Sequence, residues 1–263
     1  MTGPRNLIAG LLEDGALSIR FQPIFLVESG DIRFHSFECL SRGPKGSNFE
    51  RPDVLFEYAR RKGAEGPVDR KCIETALRAA RGLSPGSPVH LNVHASTMVR
   101  DPGFTGFLAW EAEAGGFPLN QLIIEILEHS PMGANPAFLE RVRSLREIGV
   151  KIALDDIGAG DSNFKMILDL RPDYYKVDRY FVSGASRDPY RLAILASIAD
   201  LSRKLGGVVI AEGVEHVDDL EACRASGINL VQGYLLSPPL TGKGLLRLIE
   251  NRNEAFLRDE ISG

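Results

Sequence analysis

The sequence predicts an α/β fold, a modified TIM-like (β/α)8 barrel whose first two strands pair antiparallel. Eight short apolar runs alternate with longer amphipathic stretches across 263 residues. Such alternation implies parallel strands joined by right-handed crossovers, and eight units over this length favour a closed barrel over an open sheet. The link between the first two runs is too short to hold a crossover helix, so that pair departs from the regular pattern.

An opening helix, Asn6–Asp14, leads straight into the first strand-like run, Ser18–Ile24. The second, Ile32–Leu40, follows after Phe25–Asp31 alone, where Glu28-Ser29-Gly30-Asp31 reads as a hairpin turn. The other six runs are Val89–Val93, Leu122–Leu127, Val150–Leu154, Tyr174–Val177, Gly207–Ala211 and Leu230–Leu235. Among the helical stretches between them are Pro67–Gly82, Pro136–Gly149, Tyr190–Gly206 and Val217–Gly227. All four close on glycine, which takes the left-handed conformation past a helix end without a Cβ clash. A closing helix spans Gly244–Arg258. No linker, low-complexity tract or repeat interrupts the pattern. One domain over residues 1–263 is expected, with its core at about 6–258 and no sensory or cyclase domain attached.

Composition narrows the function. Hydrophobic content of 44% and charged content of 25% are those of a soluble protein with a substantial core. A net charge of −4 gives no basic footprint for duplex nucleic acid. No apolar run is long enough to insert in a membrane, and Met1–Arg5 carries no signal core, so a cytoplasmic location is expected. Cys39, Cys72 and Cys223 are too scattered for a disulfide framework, and the five histidines form no metal-binding spacing.

Chemistry is concentrated at the strand ends. There stand Glu38, Asn92, Glu125 and Glu128, Asp155-Asp156, Lys176 and Asp178, Glu212 and Glu215, and Gln232. Carboxylates in apolar strands are costly to bury unpaired, and several converging on one barrel mouth repel one another unless cations lie between them. A donor set of oxygens with no cysteine or histidine points to Mg2+ or Mn2+. Two such ions can clamp a phosphate and activate a water. The residues alone therefore lead to metal-assisted hydrolysis or metal-assisted proton abstraction.

FQPI (Phe21–Ile24), ECLSR (Glu38–Arg42), LNV (Leu91–Val93), IEILE (Ile124–Glu128) and LDDIGAG (Leu154–Gly160) occur in that order. RPDYYKVD (Arg171–Asp178), IAEGVE (Ile210–Glu215) and QGYLLSPPL (from Gln232 to Leu240) complete the series. Over nearly its whole length the chain resembles the EAL domain of bacterial cyclic di-GMP phosphodiesterases. The resemblance implies hydrolysis of cyclic di-GMP to linear pGpG, with two divalent cations, Mg2+ or Mn2+, as cofactors and Ca2+ inhibitory. It implies that Glu38, Asn92, Glu125 and Asp155 hold one cation, and that Asp155, Asp156 and Glu212 hold the other. Lys176 would hold the attacking water, and Gln22, Arg42 and Gln232 would contact substrate. Glu128, Asp178 and Glu215 would brace the site. A homodimer is expected on the same ground; Tyr174, Tyr175, Tyr180 and Phe181 are candidate contacts, though ordinary barrel and helix packing is the favoured reading of them.

Three segments depart from the family pattern. Cys39 stands for the usual alanine, the loop from Asp156 to Asn163 reads DIGAGDSN where DFGTGYSS is usual, and GPKGSNFERPDVLF follows Arg42. Three rival readings remain: a receptor that binds cyclic di-GMP without cutting it, an enolase-like proton-abstracting barrel, and a pure interaction module. All ligand positions and the lysine are present, which favours catalysis, and the chain has no room for the capping domain an enolase-like barrel needs. Glu38→Ala, Asp155→Asn and Lys176→Ala are expected to remove turnover and leave the fold intact.

Overall fold

The structure, a computed structural model, describes residues 7–28, 31–83, 86–127, 135–157 and 163–251. Eight strands close a barrel in chain order: β1 (Ser18–Glu28), β2 (Asp31–Arg42), β3 (Val89–Val93), β4 (Leu122–Leu127), β5 (Lys151–Ile157), β6 (Tyr174–Val177), β7 (Val208–Ala211) and β8 (Leu230–Val231). β1 pairs antiparallel with β2 and with β8, and every other pairing is parallel. The reversed strand thus accounts for both antiparallel seams. Ser29 and Gly30 of the expected turn lie outside the described residues, but Glu28 and Asp31 on either side of it are the last paired residues of the hairpin.

The strand limits differ in two instructive places. β1 runs four residues beyond Ile24, because Phe25 and Leu26 still pair with β8 and the hairpin with β2 continues to Glu28. β8 stops at Val231, and the expected strand to Leu235 instead turns. Leu240 closes the gap this leaves, exchanging backbone hydrogen bonds with Phe21 at 2.8 and 2.7 Å.

Helices cover the outer face. They span Leu7–Leu12, Pro52–Arg61, Glu65–Ala80, Ala95–Arg100, Phe104–Gly115, Pro136–Glu147, Asn163–Leu170, Arg179–Val182, Pro189–Lys204 and Val217–Ala225, followed by 242–251. The predicted glycine stops hold: Gly82, Gly149, Gly206 and Gly227 all take positive φ, between 75° and 93°. Asn135 and Asp188 cap the helices that follow them by accepting from backbone N–H groups. No helix among the described residues is long and apolar enough to cross a membrane. The three cysteines are buried and unpaired.

Tyr174 and Tyr175 take the favoured packing reading and are not available as dimer contacts. Both are buried, Tyr174 within the barrel and Tyr175 under the helical layer, because a parallel strand covered on both faces has no outward side. Tyr180 is exposed, and Phe181 packs partly against the core.

The barrel interior is filled in layers. Ile24, Ile123, Ala153, Tyr174, Ile210 and Leu230, one from each of six strands, form a separate buried cluster that serves as a floor. Strand side chains alternate with period two. Two residues nearer the mouth, the same inward positions are therefore Gln22, Glu125, Asp155, Lys176, Glu212 and Gln232. β2 and β3 supply Ser36 and His90 below, with Glu38 and Asn92 above them. Because β1 is reversed, it reaches the mouth with its N-terminal half, which is why Gln22 belongs to this layer.

The loops at the mouth are clamped backbone to backbone. A Cβ on Gly233 would lie 2.1 Å from the carbonyl oxygen of Val214. Gly233→Ala must push apart the loops after β7 and β8, which carry Glu212 and Gln232. A loss of about 3 kcal/mol in unfolding free energy is expected, measurable by denaturant titration; an unchanged midpoint would show that the two loops separate freely.

Candidate functional site

The upper layer converges on one ammonium group. Lys176 is 1% exposed, and its Nζ lies 2.7 Å from Glu125 Oε2, 2.7 Å from Glu212 Oε1, 3.2 Å from Asp155 Oδ1 and 3.5 Å from Glu38 Oε2. Asn92 Nδ2 donates to Glu38 Oε1 at 2.7 Å, and Gln232 Nε2 donates to Glu38 Oε2 at 2.9 Å. One cation among three buried carboxylates and the partly buried Glu212 leaves a surplus of negative charge.

The protonation equilibria reflect this imbalance. Burial raises Glu125 well above the carboxylate range, and the charges of Glu38 and Asp155 add to it. Burial likewise raises Asp155 against the pull of Lys176. Glu212 is pushed up to about 8, by burial first and by Asp155 and Glu38 after it. Glu38 goes the other way: burial alone would raise it, but Lys176, Asn92 and Gln232 hold it down to about 2. Burial would lower Lys176, yet the four surrounding acids raise it well above its ordinary value, so it stays charged and donates.

Consecutive strand residues normally face opposite ways, which would separate Asp155 from Asp156. Here the β5–β6 register breaks between Leu154 and Ile157, and Asp156 takes a φ of 57°. A bulge with a left-handed residue is costly outside glycine, and bulges re-aim side chains beside active sites. The result brings carboxylate oxygens of Asp155, Asp156 and Glu212 within 4.8 Å of one another. Three hard oxygen donors at that spacing suit a cation of the Mg2+ or Mn2+ class. Gln232 Oε1 is buried in the same mouth with no partner among the described residues, a further oxygen left for an ion or a water. Glu38 and Glu125 stand beside this group with oxygens bonded to Asn92, Gln232, His90 and Lys176.

The acidic cleft measures about 290 Å³ and is lined by Gln22, Glu38, Asp155, Lys176, Glu212 and Gln232, with Asp178 and Glu215 at its edge. Asp178 accepts from the backbone N–H of Tyr180 and caps the short helix after β6, while Glu215 pairs with Arg179 at 3.4 Å. Arg42 lies elsewhere. Half-buried, it donates to the Ser41 carbonyl at 2.9 Å and lines a neighbouring, largely apolar cavity of about 220 Å³. Glu38 and Asn92 also line that cavity, with Phe56, Ile73 and Leu91. Glu128 lies outside the described residues, as do 158–162 of the altered loop.

The sequence reading assigns no role to His90. It is fully buried, its Nδ1 lies 2.7 Å from Glu125 Oε1, and its Nε2 lies 3.3 Å from Ser36 Oγ. Period-two spacing puts it on the same face as Asn92, a signal present in the sequence.

Comparison with known proteins agrees with this geometry. Residues 5–239 match the EAL domain. The chain belongs to the EAL-domain family. It is 29% identical over 252 residues to a probable cyclic di-GMP phosphodiesterase of Escherichia coli, PdeG, covering 94% of this chain and 49% of that protein. It is 29% identical over 233 residues to the cyclic di-GMP phosphodiesterase NbdA of Pseudomonas aeruginosa, covering 87% of this chain and 30% of NbdA. This EAL chain thus spans half or less of those two relatives. Among solved structures, the Klebsiella pneumoniae BlrP1 complex with calcium and cyclic di-GMP superposes with a TM-score of 0.79 at 28% identity. The match covers 92% of this chain and 59% of that one. A manganese complex of BlrP1 with cyclic di-GMP gives 0.79 at 29% identity, over 88% of this chain and 58% of that one.

Proposed function

We propose that this chain hydrolyses cyclic di-GMP to linear pGpG with the help of two divalent cations. The observation that carries the reading is the inward layer itself, with Lys176 ringed by Glu38, Glu125, Asp155 and Glu212 and with Asp156 turned to join them. Asp155, Asp156 and Glu212 would hold one cation; Glu38, Asn92, Glu125 and the shared Asp155 would hold the other. Bound there, the cations would supply Lewis acidity and an activated water. Relatives that bear the phosphodiesterase name, and BlrP1 with cyclic di-GMP bound, support the choice of substrate.

The chain's own groups would divide the work. Lys176, charged, donates hydrogen bonds and holds the attacking water in line with the phosphorus. A charged lysine takes no proton, so the proton of the water passes to a carboxylate. The new oxygen–phosphorus bond forms as the bond to the ribose 3′ oxygen breaks, and that oxygen takes up a proton to open the ring. No covalent intermediate is needed. Gln22 and Gln232 face the reacting phosphate, while Arg42 meets another part of the ligand from the rim of the apolar cavity, whose walls suit a base.

The test is chromatographic: purified protein, cyclic di-GMP and Mg2+ or Mn2+, with Glu38→Ala as the control. Linear dinucleotide from the wild type alone is expected. Tight binding without product in either metal would replace the enzyme by a receptor. The exposed Phe164, Leu168, Tyr180 and Tyr190, on helices after β5 and β6, support a homodimer in place of the buried Tyr174 and Tyr175.

A further inference from the structure

We propose that His90 is a positioning residue that presents Glu125 to the cation from below. The inference rests on the metal assignment of the preceding section. A histidine in the barrel floor is out of place, since its neighbours at that level are Ile24, Ile123, Ala153, Ile210 and Leu230. Burying a polar ring among them is costly unless both nitrogens are satisfied, and both are. An ionised Glu125, the form that would hold a cation, only accepts, so Nδ1 then carries the proton and donates to Glu125 Oε1 at 2.7 Å. Nε2 then accepts from the Ser36 hydroxyl at 3.3 Å, and Ser36 in turn lies 2.9 Å from His35 Nδ1. The Tyr174 ring packs edge-on against the imidazole, with centroids 5.6 Å apart.

This chain of bonds has one consequence at the mouth. Glu125 is fully buried and has two oxygens. His90 holds Oε1 toward the floor, so Oε2 must point up into the acid cluster, where Lys176 now meets it at 2.7 Å. Without the floor donor, Glu125 could turn away. Carboxylates that bind metals are commonly oriented by such outer hydrogen bonds, and losing one weakens the metal by about 10–100-fold. His90 touches neither substrate nor cation; it acts only through Glu125.

The test measures Mn2+ binding by calorimetry with no nucleotide present, so hydrolysis does not enter. His90→Leu fills the floor but donates nothing, and about 10–100-fold weaker Mn2+ binding is expected. His90→Asn keeps a donor nitrogen at the Nδ1 position and is expected to bind near the wild-type level. Ser36→Ala loosens the ring without removing it and should weaken binding in the same direction by less. Wild-type Mn2+ affinity in His90→Leu overturns the inference while leaving the metal reading intact. So does equal weakening in His90→Leu and His90→Asn, which would mean packing and not donation. If His90→Leu fails to fold, unchanged binding in Ser36→Ala overturns it instead. A wild-type protein that binds no Mn2+ removes both the inference and the reading beneath it.

Discussion

Lys176→Ala is expected to lose turnover by on the order of 10³-fold and to melt earlier than the wild type when no metal is present. The kinetic part follows from the loss of a positioned hydrogen-bond donor at the attacking water. The stability part follows from burial. Four carboxylates share this ammonium within 3.5 Å, and it is almost wholly shielded from water. Removing one partner of a buried ion pair costs about 3–5 kcal/mol, because the remaining charge is stranded. The geometry therefore adds a cost to the expectation, drawn from the sequence, that this substitution leaves the fold intact. Mn2+ should recover part of the lost melting temperature, since a cation can replace the missing charge. Melting curves with and without Mn2+, beside a chromatographic assay, check both halves. Near-wild-type turnover would remove Lys176 from the mechanism. An unchanged metal-free melting temperature would mean that the acids neutralise themselves with protons and do not depend on the lysine.

Glu212→Gln is expected to do the opposite to stability while also removing function. Glutamine is nearly the same shape and its amide oxygen can still accept from Lys176. What disappears is a negative charge that the site tolerates poorly. In the folded protein Glu212 titrates at about 8, against an ordinary value of 4.5. A group whose pKa is raised on folding contributes stability that is whole below 4.5 and is lost as pH rises through about 8. The metal-free wild type should thus weaken across that window, and Glu212→Gln should weaken less, since Glu125 and Asp155 remain raised in it. The variant is expected to be the more stable protein at pH 8.5 and to match the wild type near pH 4. Its Mn2+ affinity should fall by about 100-fold or more, since the proposed ligand loses its charge where even an outer partner costs up to that much. Thermal melts at the two pH values and a Mn2+ titration are sufficient. A variant less stable than wild type at pH 8.5 would show that Lys176 favours the ionised carboxylate more than burial opposes it. Function and stability then pull in opposite directions at this position, as expected of a site that gathers like charges to receive a cation.

Much of the site could be read from the chain because the barrel imposes a simple rule. Strand ends at the mouth carry the chemistry, and an inward position recurs every second residue. Glu38, Asn92, Glu125, Lys176, Glu212 and Gln232 obey that rule, so their convergence follows once eight strands are recognised. The same rule reaches His90, two residues before Asn92, but a histidine below the mouth carries no familiar spacing and drew no notice. Arg42 shows what strand alternation does not place. Its distance from Glu38 in sequence is even, yet the strand ends at this residue and the side chain turns to the Ser41 carbonyl beside the apolar cavity.

The sequence by itself determined the element order, the barrel, the reversed first strand, the glycine helix stops and the acidic, oxygen-rich character of the mouth. These depend on local pattern: hydrophobic period, turn chemistry, and which residue types stand at strand ends. Only the tertiary structure showed how Asp155 and Asp156 come to one side, by a register break and a left-handed backbone at Asp156 that override strand alternation. It also decided that Tyr174 and Tyr175 belong to the interior, and that Lys176 is the shared counter-charge of four acids. Those are long-range facts. They arise where strands distant in sequence meet inside a closed barrel, and no local pattern carries the distances between them.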